Sequence, residues 1–527
     1  MLGKKPHLIP FLISLGCLSG LLAIWVSLYG PSWPYRDSFV YFLLLDLFRD
    51  GKMTLLSFIP IRNNEHLVAF HYAFGVAILL LSGFKIKAFI VFNAVLLAVT
   101  VVYLYVTTQS SGRDRIAGAI LPFVIAIGLS NAAQASYLLW EFQIWLYIDL
   151  ALLAINCFLI ERYALRAYPV VFVLCVLATG SEAQGAFLWV ASAIHIFCAV
   201  NLGADTSKKR AGTAIIVLHV VLFLAAAWLI TRVTHDHPAV VQPAHGVIPR
   251  VMQRVTYLIQ LLGSGFGVRS EKFALWAGLV SLLCWMVGTV YAARARFATS
   301  VSRVALVLTS TALLWAGAFS VGRADLGIDW ALSQFHAAPM LMPFFVGLGL
   351  YGVGLLDRRK PAFALVLLVV GIAPTFTSIP LGYVRSADIK KDSMIAVAAE
   401  CAGGSDFLKR HVDGLESHPI LFDAFQKYQP RLCAQMSHLE RDKKVAAMPD
   451  EWERLAAGDD HHRKALSTLW DEYLVRGDLQ DAFPAKSPTR AQDLLKWAAS
   501  DAAHGSGFNH ELLGPYAADY IELAKKL

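Results

Sequence analysis

Charge is scarce in this chain. Only 16% of its 527 residues are Asp, Glu, Lys or Arg, against 57% hydrophobic and a mean hydropathy of +0.55; soluble domains carry about a quarter charged residues. Several motifs are missing as well. No C-x-x-C pair, zinc-finger spacing or Walker GxxxxGK[ST] stretch occurs, which removes the usual signatures of structural zinc and ATP hydrolysis. Internal repeats and low-complexity tracts are absent, and strand signals almost so. The formal charge of +8 is scattered at the ends of apolar runs rather than gathered with aromatics on one face. That pattern speaks against nucleic acid and for membrane orientation and lipid headgroups.

What fills the chain is a series of apolar runs suited to crossing about 30 Å of hydrocarbon as helices. They cover 8–29, 67–84, 89–105, 116–129, 138–160, 170–177, 185–200, 211–230, 273–291, 304–319, 339–356 and 361–380. Being continuously apolar rather than alternating, they predict helices and not a barrel. The expected fold is all-α: a polytopic bundle of about 11–13 transmembrane helices over residues 1–384, followed by an all-helical soluble domain over 385–527. The first run lacks an A-x-A cleavage pattern and reads as an uncleaved span.

The positive-inside rule places Lys4, Lys5, Lys208 to Arg210, Arg294 to Arg303 and Arg358 to Lys360 in the cytoplasm. The loops 31–65, 232–272 and 323–338 then face outward, as does everything after Pro380. Twelve runs, however, would return the C-terminus to the cytoplasm. Either Arg113 and Arg115 lie outside, against the rule, or one segment between 66 and 210 is re-entrant or split in two.

After Pro380 the composition turns polar, and PDEWERLAA, RKALSTLWDEYLV, TRAQDLLKWAAS and PYAADYIELAKKL have helical spacing. Five of the seven cysteines fall in apolar runs, where a thiol acts as a small hydrophobe. Cys401 and Cys433 remain. Two cysteines in an external tail predict one disulfide in an oxidising compartment.

The stretch 31–71 concentrates polar residues between two apolar runs, opening with PYRDSF and closing with IRNNEHLVAFHY. Asp37 and Glu65 stand at its two ends, and carboxylates beside a bilayer are functional-site hypotheses by default. Between them DSFVYFLLLDLFRDGK, punctuated by Asp46, Arg49 and Asp50, predicts an interfacial helix. Plainer roles exist. Asp37 or Ser38 can cap that helix, Glu65 can precede the next run as a solvated side chain, and His66 and His71 can be hydrogen-bonded interface histidines.

An acid shortly after the first span, a second just before the next run, and the NNEH element together resemble the GT-C superfamily of membrane glycosyltransferases. The resemblance implies transfer of a sugar from a polyprenyl-phosphate donor to an envelope glycan, lipid or protein acceptor on the external face of a bacterial inner membrane, with the tail periplasmic. It implies Asp37 as the base and Glu65 as a second acid that orients the acceptor or helps hold a metal. A single carboxylate stands where an adjacent pair is usual. No residue is therefore assigned as a metal ligand, and a divalent ion is left open as the cofactor.

Arg36, Asn64, His66 and His71 accompany the two acids as substrate-binding candidates. Arg323, in the external loop VGRADLGIDW, is the candidate for the departing phosphate, with an interfacial snorkelling arginine as its plainer role. Glu141 with Gln143, and Glu182 with Gln184, either line a groove or hydrogen-bond between helices. His235, His237 and His245 lack regular zinc geometry. The rival class is a transporter or flippase, although no repeated halves occur; a polysaccharide polymerase or ligase and a scaffold built on the tail are further alternatives.

Overall fold

The computed structural model describes the chain except residues 1–7, 32, 35, 55–56, 58–61, 64–65, 110–114, 141–142, 203–205, 232–246, 269, 325–326, 328–331, 333–337, 402–418, 435–449, 457–458, 476–489, 505–513 and 527. It forms two compact units: Met1–Pro31 with Leu44–Ile389, and Ser32–Leu43 with Lys390–Leu527. The fold is all-α apart from one antiparallel hairpin with two residues in each strand, β1 (Arg62–Asn63) and β2 (His66–Leu67).

The first unit is a helix bundle, as continuous apolar runs require when each backbone polar group must be satisfied within its own segment. Its helices are α1 (Leu8–Tyr29), α2 (Val40–Arg49, shared between the units), α3 (Ala69–Leu81), α4 (Lys87–Thr108), α5 (Arg115–Leu129), α6 (Ala135–Leu138) and α7 (Ile144–Tyr163). Then come α8 (Tyr168–Thr179), α9 (Phe187–Ile196), α10 (Thr206–Thr231), α11 (Val247–Ser264), α12 (Glu271–Arg294), α13 (Ser300–Arg323), α14 (Ala338–Leu356) and α15 (Pro361–Thr377). Small residues let helices approach. A Cβ on Gly371 of α15 would lie 2.7 Å from the Gly349 nitrogen of α14, so these backbones meet where any side chain would part them.

Contacts between helix ends sort the bundle into two faces. The start of α1 meets the end of α4 through the stacked rings of Phe11 and Tyr105, 4.1 Å apart. The start of α13 meets the end of α7, where Arg303 holds Glu161. These ends belong to the basic face, which also carries Arg294 and Arg358 to Lys360. On the opposite face Thr375 Oγ1, near the end of α15, donates to the Ile127 carbonyl at 2.7 Å, and Asn93, early in α4, donates to Leu138 O at 3.4 Å.

This sorting corrects the expected crossing at 67–84. The Phe70 amide donates to Gly180 O at 3.0 Å, which sets the start of α3 beside the end of α8 on the opposite face. Five residues after α3 ends, α4 begins on that same face. The start of α3 and the start of α4 share this face, which a full crossing by α3 would not allow. It does not cross. Consequently α5 starts at Arg115 on the basic face, in line with the positive-inside rule, while Arg113 lies outside the described residues.

Among the described residues ten segments are long and apolar enough to span. One of them, Ile144–Thr179, holds both α7 and α8, and the chain reverses between them at Ala164, whose φ is +48°. Asn156 of α7 and Cys175 of α8 both reach Ser192 Oγ, at 2.8 and 3.4 Å, which confirms the reversal. Counting that segment twice makes eleven crossings among the described residues, and an odd number takes the chain out on the face opposite its entry. α11 is not among the spans. Arg250 and Arg254 are exposed on it, with Val247, Ile248, Val251, Met252 and Val255, the composition of a helix lying in an interface.

In the second unit α16 (Ile379–Cys401, which begins in the first) is followed by α17 (Pro419–Gln426), α18 (Gln429–Cys433), α19 (Asp450–Leu455), α20 (Asp460–Val475), α21 (Arg490–His504) and α22 (Ala517–Lys525). The last four coincide with the four stretches of helical spacing. Pro449 and Thr489, near two of their starts, lie outside the described residues. Trp452, Trp470, Leu466, Leu494 and Tyr520 are buried in this unit, and Tyr520 donates to Ala465 O at 3.0 Å. Cys401 and Cys433 are disulfide-bonded, tying α16 to α18.

Candidate functional site

Arg36 and Asp37 open a 3-10 turn, Arg36–Phe39, that leads directly into α2. The expected helix is present as α2, shorter than the stretch that predicted it and with Tyr41, Phe42, Leu44 and Leu45 buried in protein, while Asp46 is half-buried and Arg49 and Asp50 are exposed at its far end. Ser38, the alternative cap, is buried, and its hydroxyl has no hydrogen-bond partner among the described residues. The turn is bracketed by large aromatics. Trp33, Phe39 and Phe42 all set their rings against Phe425 of α17, within the second unit.

At the other end of the loop the hairpin pairs Arg62 with Leu67 and Asn63 with His66. Asn64 and Glu65 lie outside the described residues. His66 is placed by its backbone alone. His71 sits in the first turn of α3 and is fully buried.

The Phe70 to Gly180 hydrogen bond brings this start of α3 to the turn between α8 and α9, where Glu182 is buried at 2% exposure. Facing Glu182 is a residue that sequence reasoning passed over. Asp149, two turns into α7, is 4% exposed and close enough for its carboxylate to interact electrostatically with that of Glu182. Neither Asp149 oxygen has a hydrogen-bond partner among the described residues. The side-chain oxygens of Gln143 and Gln184 are likewise buried without one, while Trp315 Nε1 of α13 fixes the turn by donating to Gln184 O at 2.9 Å. The signal for Asp149 was available: one carboxylate within the apolar run LYIDLALL is unusual enough to mark function. Glu141 lies outside the described residues.

Arg323 ends α13 on the same face, half-buried, and acts electrostatically on Tyr257 of α11. Burial pushes the Tyr257 phenol above its ordinary pKa, and the guanidinium works in the other direction. Tyr257 is 3% exposed and its hydroxyl has no partner among the described residues. An apolar cavity of about 330 Å³, lined by none of these groups, runs along α1 from Ser14 to Trp25 and is closed by α5, α6 and α15, with Ser130, Asn131 and Gln134 at its polar end. Leu21 and Phe376, which line it, are about half exposed, so the cavity opens sideways through the apolar surface of the bundle.

The structure thus brings His71 and Glu182 to neighbouring turns and adds Asp149. Arg323 stands apart with Tyr257. Among the described residues no three His, Cys, Asp or Glu side chains gather as a metal-ligand set, and His235, His237 and His245 lie outside the described residues. No family model, curated protein or solved structure matches the chain.

Proposed function

We propose that this protein is an inverting membrane glycosyltransferase that moves a sugar from a polyprenyl-phosphate donor to a hydroxyl or amide of an envelope glycan, lipid or protein. The observation that carries this reading is the sideways-open apolar cavity with a polar end. An isoprenoid chain entering from the bilayer has the length and apolarity to fill it, and its phosphate then lies toward the face that carries the Glu182–Asp149 pair and, apart from it, Arg323. The positive-inside rule assigns the basic face to the cytoplasm, so chemistry takes place on the external, periplasmic face of a bacterial inner membrane, with the tail on that side.

The reaction needs few parts. Asp37 accepts the proton of the acceptor as its oxygen or nitrogen bonds to the anomeric carbon. The bond from that carbon to the phosphate oxygen breaks, and polyprenyl phosphate leaves with the electron pair. Arg323 offsets the charge developing on the phosphate, Glu65 orients the acceptor, and substrate binding is assigned to Arg36, Asn64, His66, His71, Glu141 and Glu182. Arg36 and His66 flank the acids in sequence, and Glu182 supplies a buried carboxylate suited to sugar hydroxyls.

A second reading, a proton-coupled transporter of a small or lipid-linked substrate, is favoured by Asp149 alone, a carboxylate within a span. Purified protein incubated with a panel of polyprenyl-phosphate hexoses and pentoses and membrane-extracted acceptors separates the two. Glycosyl transfer predicts release of free polyprenyl phosphate with at least one donor. Substrate flux in proteoliposomes with no such release would replace it with the transporter.

A further inference from the structure

The largest side chains of the first external loop converge on one residue nearly 400 positions downstream. Trp33, Phe39 and Phe42 place their ring centroids 5.4, 4.9 and 5.3 Å from that of Phe425, each close to perpendicular, and Phe42 also lies 5.7 Å from Tyr428. All are buried; Phe425 is 0% exposed. Edge-to-face aromatic contacts of this kind add to the stabilisation that burial alone supplies. Asp37 occupies the turn between Trp33 and Phe39, so its backbone is held from both sides.

The geometry points to Phe425 as a positioning residue for Asp37, and so to a role for the C-terminal tail: it clamps the catalytic turn. The assignment of Asp37 as base rests on the glycosyltransferase reading; the clamp itself rests on the rings alone. A short loop of four-residue turn and helix start has little core of its own. Without the aromatic socket, Trp33, Phe39 and Phe42 would expose three large apolar surfaces, and the turn would sample many backbone states. A base must sit within hydrogen-bond reach of its nucleophile, and displacement by about 1 Å is enough to cost roughly a hundredfold in rate. Phe425 lies inside the loop closed by the Cys401–Cys433 disulfide, which restrains the socket in turn.

The test uses full-length protein with two readouts. Phe425→Ala should raise hydrogen–deuterium exchange across residues 33–42 by tenfold or more while α20 and α21 stay protected, and should lower kcat at least tenfold with KM little changed; Phe425→Tyr, which keeps the ring, should restore both. If Phe425→Ala does not fold, Phe39→Leu approaches the socket from the loop side and should give the same exchange signature. Unchanged exchange over 33–42 overturns the clamp, whatever happens to turnover. Faster exchange in a protein whose wild type releases no polyprenyl phosphate from any donor leaves the clamp standing and overturns the sugar-transfer reading alone.

Discussion

Arg303 grips Glu161 at two points, Nε donating to one carboxylate oxygen at 2.7 Å and Nη2 to the other at 2.6 Å, while His195 Nε2 meets the same carboxylate at 2.7 Å. Three helices, α7, α9 and α13, are thereby pinned at the basic face. The carboxylate is mostly buried, at 10% exposure, and the imidazole wholly so.

Removing one partner from such a pair strands the other. Glu161→Gln should destabilise the bundle by roughly 3 kcal/mol or more, read as a fall in the unfolding midpoint of detergent-solubilised protein. The double change Glu161→Met with Arg303→Met should recover a large part of that loss, because no buried charge is then left unpaired. Equal instability of single and double variants would show that the pair does not act as a unit.

Asp149 offers the opposite balance. Its carboxylate has no hydrogen-bond partner among the described residues and interacts electrostatically with Glu182, so Asp149→Asn should leave stability unchanged or higher while lowering transfer by roughly tenfold or more, as for a group engaged in proton transfer or substrate positioning. Full activity would reduce Asp149 to a helix-packing residue.

Much of the architecture was legible because membrane physics leaves so few solutions. Continuous apolar runs have to be helices, and basic clusters orient them. The failure at 67–84 is equally physical: hydropathy registers apolarity but not the face to which both helix ends return, and α3 reveals itself only through the Phe70 to Gly180 contact. In the tail, spacing marked the helices and lone cysteines marked the disulfide. The candidate site was legible only in part. Glu182 was singled out as polar beside a span, whereas Asp149 and Tyr257 hid within apolar and amphipathic runs, and nothing local in the sequence links Trp33, Phe39 and Phe42 to Phe425.

Asp459 should make the tail sensitive to acid. It accepts hydrogen bonds from the backbone amides of His461 and His462 at 2.9 and 3.2 Å, at the start of α20. Those bonds, that to His462 foremost, hold its pKa below the usual carboxylate value. A depressed native pKa contributes stability above the unfolded-state value that is lost as pH falls through the native one. Asp459→Ala should therefore lower the tail's melting temperature at neutral pH, with the gap to wild type closing below the ordinary carboxylate range. A gap that stays constant down to strong acid would rule out this cap as the source.

The disulfide restrains the loop between residues 401 and 433, a closure worth about 2–4 kcal/mol on general grounds. Cys401→Ser should loosen α17 and α18, visible as faster deuterium exchange there, and slow transfer less than Phe425→Ala does. Exchange identical to wild type would mean the helices hold themselves.

The central claim is that Asp37 accepts a proton from the acceptor. Its most direct test is single-turnover release of polyprenyl phosphate from a bound donor by wild-type protein and by Asp37→Asn, with thermal unfolding measured alongside. Release should fall by a factor of about a thousand with the unfolding midpoint nearly unchanged. An Asp37→Asn protein that releases polyprenyl phosphate at the wild-type rate would contradict the account.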